Sequence, residues 1–504
     1  MTMVDRFSDL PNGVAYRILS FLAIRDLTCF GIASKRCRAL YLSIPSLELR
    51  DFLPKTTPTG EFRFFSHTTC EFRLRLLSSL DRFLLQRGDN RINYFGIYWN
   101  GHFDLGSDRT PCFCVNLRSQ IIDWIRNAVR CNVEVLCVSS NLKDFVVEPL
   151  AFPCGVFLCA TLRSLCVNMD GTIVKTPSVS FSSNIEYLEL INVDIEDEGF
   201  FKWISCSCKF LKELILSDVG RVENIIIESS SLEKFEVYDH FYDGICTLSH
   251  LTISGKKLET IAIWWSFDSH SGTSLNMFAP KLKYLEWRGH LTNQANLGQL
   301  ECLEKALICL EPKADDSDKQ IKHFCVLHRV EHLVLNAATF KALFREGSTH
   351  AQFDHVSNLR LNLRRFSDDI FPAVVSLLKG LHNLCTLYIS CCAVPSFLHP
   401  QRDVSGFDKA YWKLQNLDFV DQIKKVTLVL DGSNNGIDFA RYILEHAKNL
   451  ELMDIQYLLN PSDDAIQKLN ESKKMSKATV IFEEDFVEDS DKNLENFDED
   501  FEED

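Results

Sequence analysis

The chain has 504 residues, of which 46% are hydrophobic, and a net charge of −15 at neutral pH. This length allows about three domains, or one long repeat array behind a small module, with a large core. Thirteen acidic residues and one lysine lie between Glu483 and Asp504, so the rest of the chain carries only −3. The near balance of charge argues against a nucleic-acid partner. The absence of an apolar run of about 18 residues argues against a membrane span.

The nineteen cysteines are scattered without a dense, regular spacing, and no signal peptide precedes them. This distribution predicts reduced, mostly buried thiols in a cytoplasmic and/or nuclear protein. No zinc-type Cys-x-x-Cys pair occurs, and a calcium-loop pattern at Asp431–Gly436 has Tyr442 where a bidentate Glu is required, which favours a plain turn. Phosphate-binding loops and the common catalytic motifs are also missing. We therefore predict no metal, no cofactor and no catalytic residues.

Two apolar helical stretches separated by a polar break are predicted within residues 7–49. On a helical wheel the apolar side chains of the first stretch span an arc of about 160°, whereas a surface helix needs only about 100° to reach its own core. They are Val14, Ala15, Ile18, Leu19, Phe21 and Leu22. A module of about 40 residues is rarely stable alone, so the extra apolar surface predicts a partner protein. A helical cap on the following domain is the alternative.

This segment resembles the F-box, the helical module that docks onto a Skp-type adaptor in SCF ubiquitin ligases. The matches, in the family's order and spacing, are Phe7, Leu10-Pro11, Ile18-Leu19, Phe21-Leu22, Arg25-Asp26, Ser34-Lys35-Arg36, Leu40 and Pro45. In F-boxes the Leu-Pro pair and the aliphatic residues of the first helix face the adaptor. The resemblance assigns that role to Leu10, Pro11, Ile18 and Leu22. One departure is Cys37, where plant F-boxes usually have a tryptophan that packs the third helix.

An apolar pattern at positions 0, 3 and 5 recurs ten times, from Leu162/Leu165/Val167 to Leu384/Leu387/Ile389, at spacings of 21 to 28 residues. All of these spacings fall within the range of leucine-rich repeats. Looser copies begin at Ile92 and Val133. Stacked units of this kind form one continuous core and a curved sheet with short helices on the outer side. The clearest predicted helices are Glu198–Phe210 and Asp368–His382, and Ile121–Cys131 is predicted as a helix leading into the stack.

The consensus Asn or Cys at position 8 of each repeat is missing from almost every copy, and only Cys392 fits. This divergence resembles plant F-box proteins with degenerate leucine-rich repeats, and Leu444–Glu451 is similar to the FBD region that follows the repeats in many of them. The resemblance implies an α/β fold with an N-terminal helical F-box, an irregular leucine-rich-repeat solenoid and an α/β C-terminal cap. The predicted bounds are 1–50 for the F-box, 51–130 for a connection, 131–410 for the solenoid, 411–482 for the FBD-like cap and 483–504 for a disordered acidic tail.

With positions 3 and 5 of each repeat facing the core, positions 2, 4 and 6 face the concave side of the sheet. Aromatic residues interleaved with charges on such a face are typical of protein-recognition surfaces, although aromatic residues also favour strands in general. The candidate target-binding residues are Tyr187, Tyr238, Trp264, Tyr284, Arg288, Arg360 and Tyr388, with Glu189, Glu213, Lys234 and Glu286 among them.

The resemblance implies a non-catalytic substrate-recognition subunit of an SCF-type ubiquitin ligase. The F-box would bind a Skp-type adaptor and, through it, a cullin scaffold, and the repeat surface would bind a protein target that the sequence does not identify. The alternative is a leucine-rich-repeat scaffold or regulator outside the ubiquitin pathway, in which the F-box has decayed.

Overall fold

The computed structural model describes residues 7, 9–22, 24–50, 78, 80–100, 117–141, 149–178, 182–239, 248–266, 272–311, 327, 329–343, 353–391, 411–412, 415, 417–431, 434–458 and 462–484. In the predicted connection at 51–130, residues 51–77, 79 and 101–116 therefore lie outside the described residues, as do Cys392 and residues 485–504 of the predicted tail. The chain divides into two compact units, an N-terminal unit, Met1–Leu258, and a C-terminal unit, Glu259–Asp504.

Three short helices open the N-terminal unit: α1 (Asn12–Leu19), α2 (Ile24–Ala33) and α3 (Lys35–Ser43). The predicted second helical stretch is divided at Ser34, because this residue has an extended backbone and its hydroxyl accepts a hydrogen bond from the Cys37 amide at 3.0 Å. A serine that caps an otherwise unpaired amide in this way starts a new helix. Further helical segments of this unit are residues 80–87, α4 (Leu117–Arg130) and α5 (Gly199–Ser207).

The N-terminal unit contains one parallel sheet with neighbours in the order β1-β2-β3-β5-β6-β7-β9, and β4 pairs with the end of β5. Its strands are β1 (Ser46–Arg50), β2 (Tyr94–Asn100), β3 (Val135–Asn141), β4 (Leu150–Ala151), β5 (Ser164–Val174), β6 (Tyr187–Ile195), β7 (Glu213–Ser217) and β9 (Lys234–Asp239). A separate parallel pair is formed by β8 (Asn224–Ser229) and β10 (His250–Gly255).

The register of these strands follows the apolar pattern. Leu165, Leu188 and Leu214 are direct partners on successive strands, and all three are buried. Because neighbouring side chains in a strand point to opposite faces, the residues between them lie on the other, partly exposed face of the sheet. The triplets predicted in this unit are buried throughout, so the repeat pattern marks the core as expected.

The main sheet of the C-terminal unit is also parallel, in the order β11-β13-β15-β16-β17-β18-β19-β20-β21, and β12 pairs with β14. The strands are β11 (Thr260–Trp265), β12 (Ser274–Phe278), β13 (Tyr284–His290), β14 (Gln294–Asn296), β15 (Lys305–Glu311), β16 (His332–Asn336), β17 (Asn358–Leu363), β18 (Thr386–Cys391), β19 (Lys425–Leu430), β20 (Leu452–Tyr457) and β21 (Thr479–Glu484). The helices are α6 (Ala337–Leu343), α7 (Phe371–Lys379), α8 (Asn434–His446) and α9 (Asp463–Lys473).

The repeat pattern continues into the C-terminal segment, for which the sequence predicts a separate FBD-like cap. Ile423/Val426/Leu428 and Leu450/Met453/Ile455 have the same spacing, are buried, and place β19 and β20 in the sheet beside β18. From residue 434 onwards the described elements are α8, β20, α9 and β21, which alternate helix and strand. This segment therefore extends the same sheet.

The outer layer contains extended segments in addition to the predicted short helices. The predicted helices at Glu198–Phe210 and Asp368–His382 are present as the shorter α5 and α7, but extended pairs, β8 with β10 and β12 with β14, occupy other repeats. The reason is local: Ile225 and Ile227 are buried while Ile226 is exposed, an alternation that suits a strand and not a helix. The predicted α/β leucine-rich-repeat fold class is confirmed.

Candidate functional site

Residues 12–22 carry two groups of apolar side chains, and only one group is covered by the chain. The helix α1 ends at Leu19, so Phe21 and Leu22 lie in the turn that follows it and not on the predicted continuous helix. Ala15 is 0% exposed, whereas Ile18 is 42%, Phe21 82% and Leu22 36% exposed. The wide apolar arc therefore divides into a face that packs within the module and an open face that includes two of the predicted adaptor-binding residues. We call Val14, Ile18, Phe21 and Leu22 the open apolar face.

The Leu-Pro pair is held in place by the arginine of the Ser-Lys-Arg motif. The Arg36 guanidinium donates to the Leu10 carbonyl at 3.4 Å and also to the side-chain oxygen of Asn12. Pro11 immediately precedes α1 and has a φ of −55°. The proline ring restricts φ to about this value, which is compatible with the start of a helix. Leu10 is half-buried and Pro11 is exposed. The predicted adaptor-binding residues thus lie on or next to α1, and their role in binding stays a prediction.

Tight packing connects α2 to α3 and to the helical segment at 80–87. The ring of Tyr41 lies so close to Gly31 that a Cβ on Gly31 would be 2.7 Å from it, and the rings of Tyr41 and Phe83 are 4.5 Å apart between centroids. Burial raises the pKa of the Tyr41 hydroxyl. Cys37, which stands where plant F-boxes usually have tryptophan, is buried. Its effect on adaptor binding stays a prediction.

On the sheet of the N-terminal unit, Tyr187 and Tyr238 are half-buried on the partly exposed side. The Tyr187 hydroxyl donates to Glu189 at 3.0 Å, and burial, reinforced by that carboxylate, raises the pKa of Tyr187. Lys234 pairs with Glu236 at 2.9 Å between Nζ and Oε1. Polar side chains on this surface are therefore engaged with one another.

In the C-terminal unit, three of the predicted target-binding residues converge on one carboxylate. Glu286 is only 9% exposed; its oxygens accept from Trp264 Nε1 at 2.7 Å and from the Tyr284 hydroxyl at 2.9 Å. Arg288 Nε also donates to it, and the Arg288 guanidinium carbon lies 4.4 Å from the centroid of the Trp264 ring. We call these four residues the Glu286 cluster. Because every member has a fixed partner, the cluster presents a rigid aromatic and cationic surface.

The two remaining candidates form a second stacked pair in the same unit. Arg360 and Tyr388 are register partners on β17 and β18, and the guanidinium carbon lies 4.3 Å from the ring centroid. Arg360 Nε donates to the Asn362 side-chain oxygen at 3.4 Å, and Ser390 donates to the same oxygen at 3.1 Å. The structure therefore brings five of the seven predicted residues into two contact groups, and their role in target binding stays a prediction.

A group of tyrosine and cysteine side chains that the sequence analysis does not predict lies on the partly exposed side of the N-terminal sheet. Tyr94 and Tyr98 join their hydroxyl groups at 2.9 Å across Gly96, and Cys137 and Cys166 are direct partners on β3 and β5. A signal was available: each cysteine occupies position 4 of its repeat, one residue after the central apolar position. The two cysteines are 29 positions apart in the sequence, so no short cysteine motif contains both.

The calcium-loop pattern uses its polar side chains for internal hydrogen bonds. Asp431 accepts from the Phe366 amide at 3.2 Å, and the buried Asn435 amide donates to Asp368 at 2.7 Å. These contacts fix the start of α8, and residues 432–433 of the pattern lie outside the described residues. Among the residues described, the His, Cys, Asp and Glu side chains form no group of three suited to a metal ion. None of the described helices has both the length and the apolar character needed to cross a bilayer.

Each unit has a parallel sheet with one strand for each apolar triplet, and three short helices precede the first strand in the sequence. These features define an α/β leucine-rich-repeat protein. Residues 121–301 match the family model described as the LRR repeats of FBD-associated F-box protein At5g56370. The chain is similar to the putative FBD-associated F-box protein At5g53635 of Arabidopsis thaliana, at 23% identity over 94% of this chain and 99% of that protein.

Two further Arabidopsis thaliana proteins are similar to the chain. The putative F-box/FBD/LRR-repeat protein At5g44950 is 23% identical over 95% of this chain and 99% of its own length. The F-box/LRR-repeat protein At3g26922 is 28% identical over 51% of this chain and 78% of its own length. The resemblance to plant F-box/leucine-rich-repeat proteins with an FBD region, predicted from the sequence, is confirmed.

Proposed function

We propose that this chain is a non-catalytic substrate-recognition subunit of an SCF-type ubiquitin ligase, which binds a Skp-type adaptor and, through it, a cullin scaffold. The observation that carries the proposal is the open apolar face. Large apolar side chains that are exposed together on a small module are typical of a protein interface. The F-box names of the relatives support an adaptor as the partner, and free thiols throughout the described cysteines support a cytoplasmic or nuclear location.

In this role the chain would bring a target close to the ubiquitin-conjugating partner and would not itself catalyse the reaction. An adaptor bound at α1 and a target bound at the repeats would be held in one complex, which raises the effective concentration of a target lysine near the ubiquitin-conjugating partner. The Glu286 cluster and the Arg360–Tyr388 pair are the proposed target-binding anchors, because stacked arginine and aromatic side chains are enriched at binding hot spots.

The adaptor proposal is tested by binding of purified variants to a Skp-type adaptor. Ile18→Asp and Leu22→Asp place a charge in the proposed interface, where its desolvation is unfavourable, and we expect the affinity to fall by at least about tenfold, or about 1.4 kcal/mol. Ile466→Asp on α9 is the matched control, because Ile466 is also 42% exposed on a helix, and it should bind like the wild type. Equal binding by all three variants would refute the assigned face.

Wild-type protein that fails to bind any Skp-type adaptor would favour the alternative, a repeat scaffold with a decayed F-box. Targets can be sought by proximity labelling in cells with and without a proteasome inhibitor. A genuine target should be enriched by the inhibitor, and its labelling should fall in an Arg360→Ala/Tyr388→Ala variant whose adaptor binding is unchanged.

A further inference from the structure

Two cysteines of the N-terminal unit are placed side by side by the strand register. Cys137 on β3 is the direct parallel partner of Cys166 on β5. Neighbouring strands are about 4.8 Å apart, a separation inside the range of about 4.4–6.8 Å between Cα atoms that a disulfide spans. Both cysteines are free thiols and are half-buried on the partly exposed side of the sheet. Small reagents can therefore reach the two thiols. A disulfide between them would require little movement of the backbone.

The surroundings give the two thiols different properties. The pKa of Cys137 is lowered to about 6, because the Cys166 thiol and the Tyr98 hydroxyl donate hydrogen bonds to its thiolate. Burial and the carboxylates of Glu189 and Glu48 oppose this shift. The pKa of Cys166 is raised by its hydrogen bond to Cys137 and by burial, with a further contribution from Glu189. The hydrogen bonds thus favour the thiolate on Cys137, and burial together with Glu189 favours the protonated form of Cys166.

The position of Tyr98 also depends on the sheet. Gly96 on β2 is the register partner of Cys137, and a Cβ at this position would be 2.8 Å from the Tyr94 hydroxyl and 3.0 Å from the Tyr98 ring. The two tyrosines meet above this glycine with 2.9 Å between their hydroxyl oxygens. Because Gly96 has no side chain, there is space for the Tyr98 hydroxyl beside the Cys137 sulfur.

We propose that Cys137 is an oxidation site for hydroperoxides and that Cys166 is its resolving thiol. In the first step the Cys137 thiolate attacks one oxygen of hydrogen peroxide, the O–O bond breaks, and the released hydroxide takes a proton to leave as water. The Cys137 sulfur is then a sulfenic acid. In the second step Cys166 loses its proton and attacks the Cys137 sulfur, the S–O bond breaks, and a second water leaves. One peroxide thus accepts two electrons from two thiols, and a disulfide joins β3 to β5.

The proposed site does not depend on adaptor or target binding, since it requires only the two strands. It lies one strand away from the Tyr187–Glu189 pair, because Cys166 is the register partner of Glu189 on β6. A disulfide would remove the Cys166 thiol proton, and with it the interaction by which Glu189 raises the pKa of this thiol. Oxidation would therefore change the chemistry of a part of the sheet that carries a candidate target-binding residue.

The test uses the full chain, treated with graded hydrogen peroxide, quenched with an alkylating reagent and digested for peptide mass mapping. We expect a linked peptide pair containing Cys137 and Cys166 to form at about tenfold lower peroxide than oxidation of Cys206 and Cys302, because a thiolate reacts where a thiol does not. These two cysteines are the controls, since both are exposed. If they react first while Cys137 and Cys166 remain available to the alkylating reagent, the proposal is wrong.

Two serine variants separate the roles of the thiols. Cys166→Ser should trap the sulfenic acid on Cys137, which dimedone detects as an adduct, whereas Cys137→Ser should leave Cys166 reduced and unlabelled. Circular dichroism confirms that each variant is folded. Equal dimedone labelling of Cys166 in the Cys137→Ser variant would overturn the assignment, as would a Cys137 that yields no adduct when Cys166 is absent.

Discussion

The Glu286 carboxylate shows how one residue organises its neighbours. Its two oxygens accept hydrogen bonds from an indole, a phenol and a guanidinium, and the side chain is almost fully buried. A buried carboxylate of this kind is stable only while its donors are present, and each donor in turn depends on it. The sequence identified all four residues as members of one face, and the structure adds that they contact one another.

Replacing Glu286 with alanine should lower the stability of the C-terminal unit by about 2–3 kcal/mol, because Trp264, Tyr284 and Arg288 lose a shared acceptor in a poorly solvated position. The shift is measured as a lower apparent melting temperature. Glu259→Ala is the control: Glu259 pairs with Lys283 at 2.8 Å between Oε2 and Nζ on the surface, where such pairs contribute little. Similar melting of the two variants would contradict a structural role for the cluster.

The Cys137 thiol should have an unusual pH profile of alkylation. Since its pKa is lowered to about 6, the thiolate is lost below that pH and present above it. We expect the rate to rise about tenfold from pH 5 to 7 and to be nearly constant from pH 7 to 9, where an ordinary thiol gains about 25-fold. Tyr98→Phe removes one donor and should move the profile to higher pH. Site-resolved mass spectrometry measures both rates, and a Cys137 profile that still climbs between pH 7 and 9 would contradict the assignment.

At the scale of elements, the N-terminal helices are held by close contacts that leave one face of α1 uncovered. The Tyr16 hydroxyl and the Ser43 hydroxyl are 2.8 Å apart, which links α1 to the end of α3. The Asn90 amide donates to the Leu42 carbonyl at 3.1 Å, so α3 is also fixed to the segment that precedes β2. The orientation of the open apolar face is therefore set by contacts on the opposite side of the module.

Gly31→Ala should weaken the contact between α2 and α3, because the new Cβ would lie 2.7 Å from the Tyr41 ring. Overpacking of this kind typically costs about 1–3 kcal/mol. Gly13→Ala is the matched control: nothing lies within 4 Å of its Cβ position, and alanine favours a helix over glycine. Hydrogen exchange of the α2 and α3 amides should be faster in the first variant and unchanged or slower in the second. Equal exchange in both variants would show that the contact is not tight.

At the scale of the whole chain, each repeat is stabilised by packing against its neighbouring repeats. In the C-terminal unit, α9 packs beside α8: Ser472 donates to Glu445 at 2.9 Å and accepts from Arg441 at 3.2 Å. Leu469 is buried within this layer. The last helix and β21 thus cover apolar surface of the preceding elements and pair the edge of β20.

Deletion of residues 462–504 should therefore lower the apparent melting temperature by several degrees and promote self-association, because it exposes apolar side chains and an unpaired strand edge. Deletion of residues 485–504 alone is the control and should leave the melting temperature and the oligomeric state unchanged. Calorimetry and size-exclusion chromatography measure both properties. If the longer deletion melts and elutes like the full chain, the closing helix and strand do not stabilise the stack.

The sequence determined the repeats, the fold class, the positions of the buried triplets and the excess of apolar side chains at residues 14–22. These follow from periodicity, because a side chain that recurs at fixed spacing along a strand or helix must lie on one face. The choice between a helix and a strand in the outer layer, as at Ile225 and Ile227, was less readable, since short segments there depend on the neighbours that cover them.

Only the tertiary structure decided which residues on one face of the sheet contact each other. Cys137 and Cys166 are separated by 29 positions in the sequence, and Glu286 and Trp264 by 22. Periodicity fixes the direction of a side chain relative to its own strand, but the register between strands fixes its neighbours. That register arises when the buried leucines of successive repeats pack in line, a condition on the whole stack that no single repeat contains.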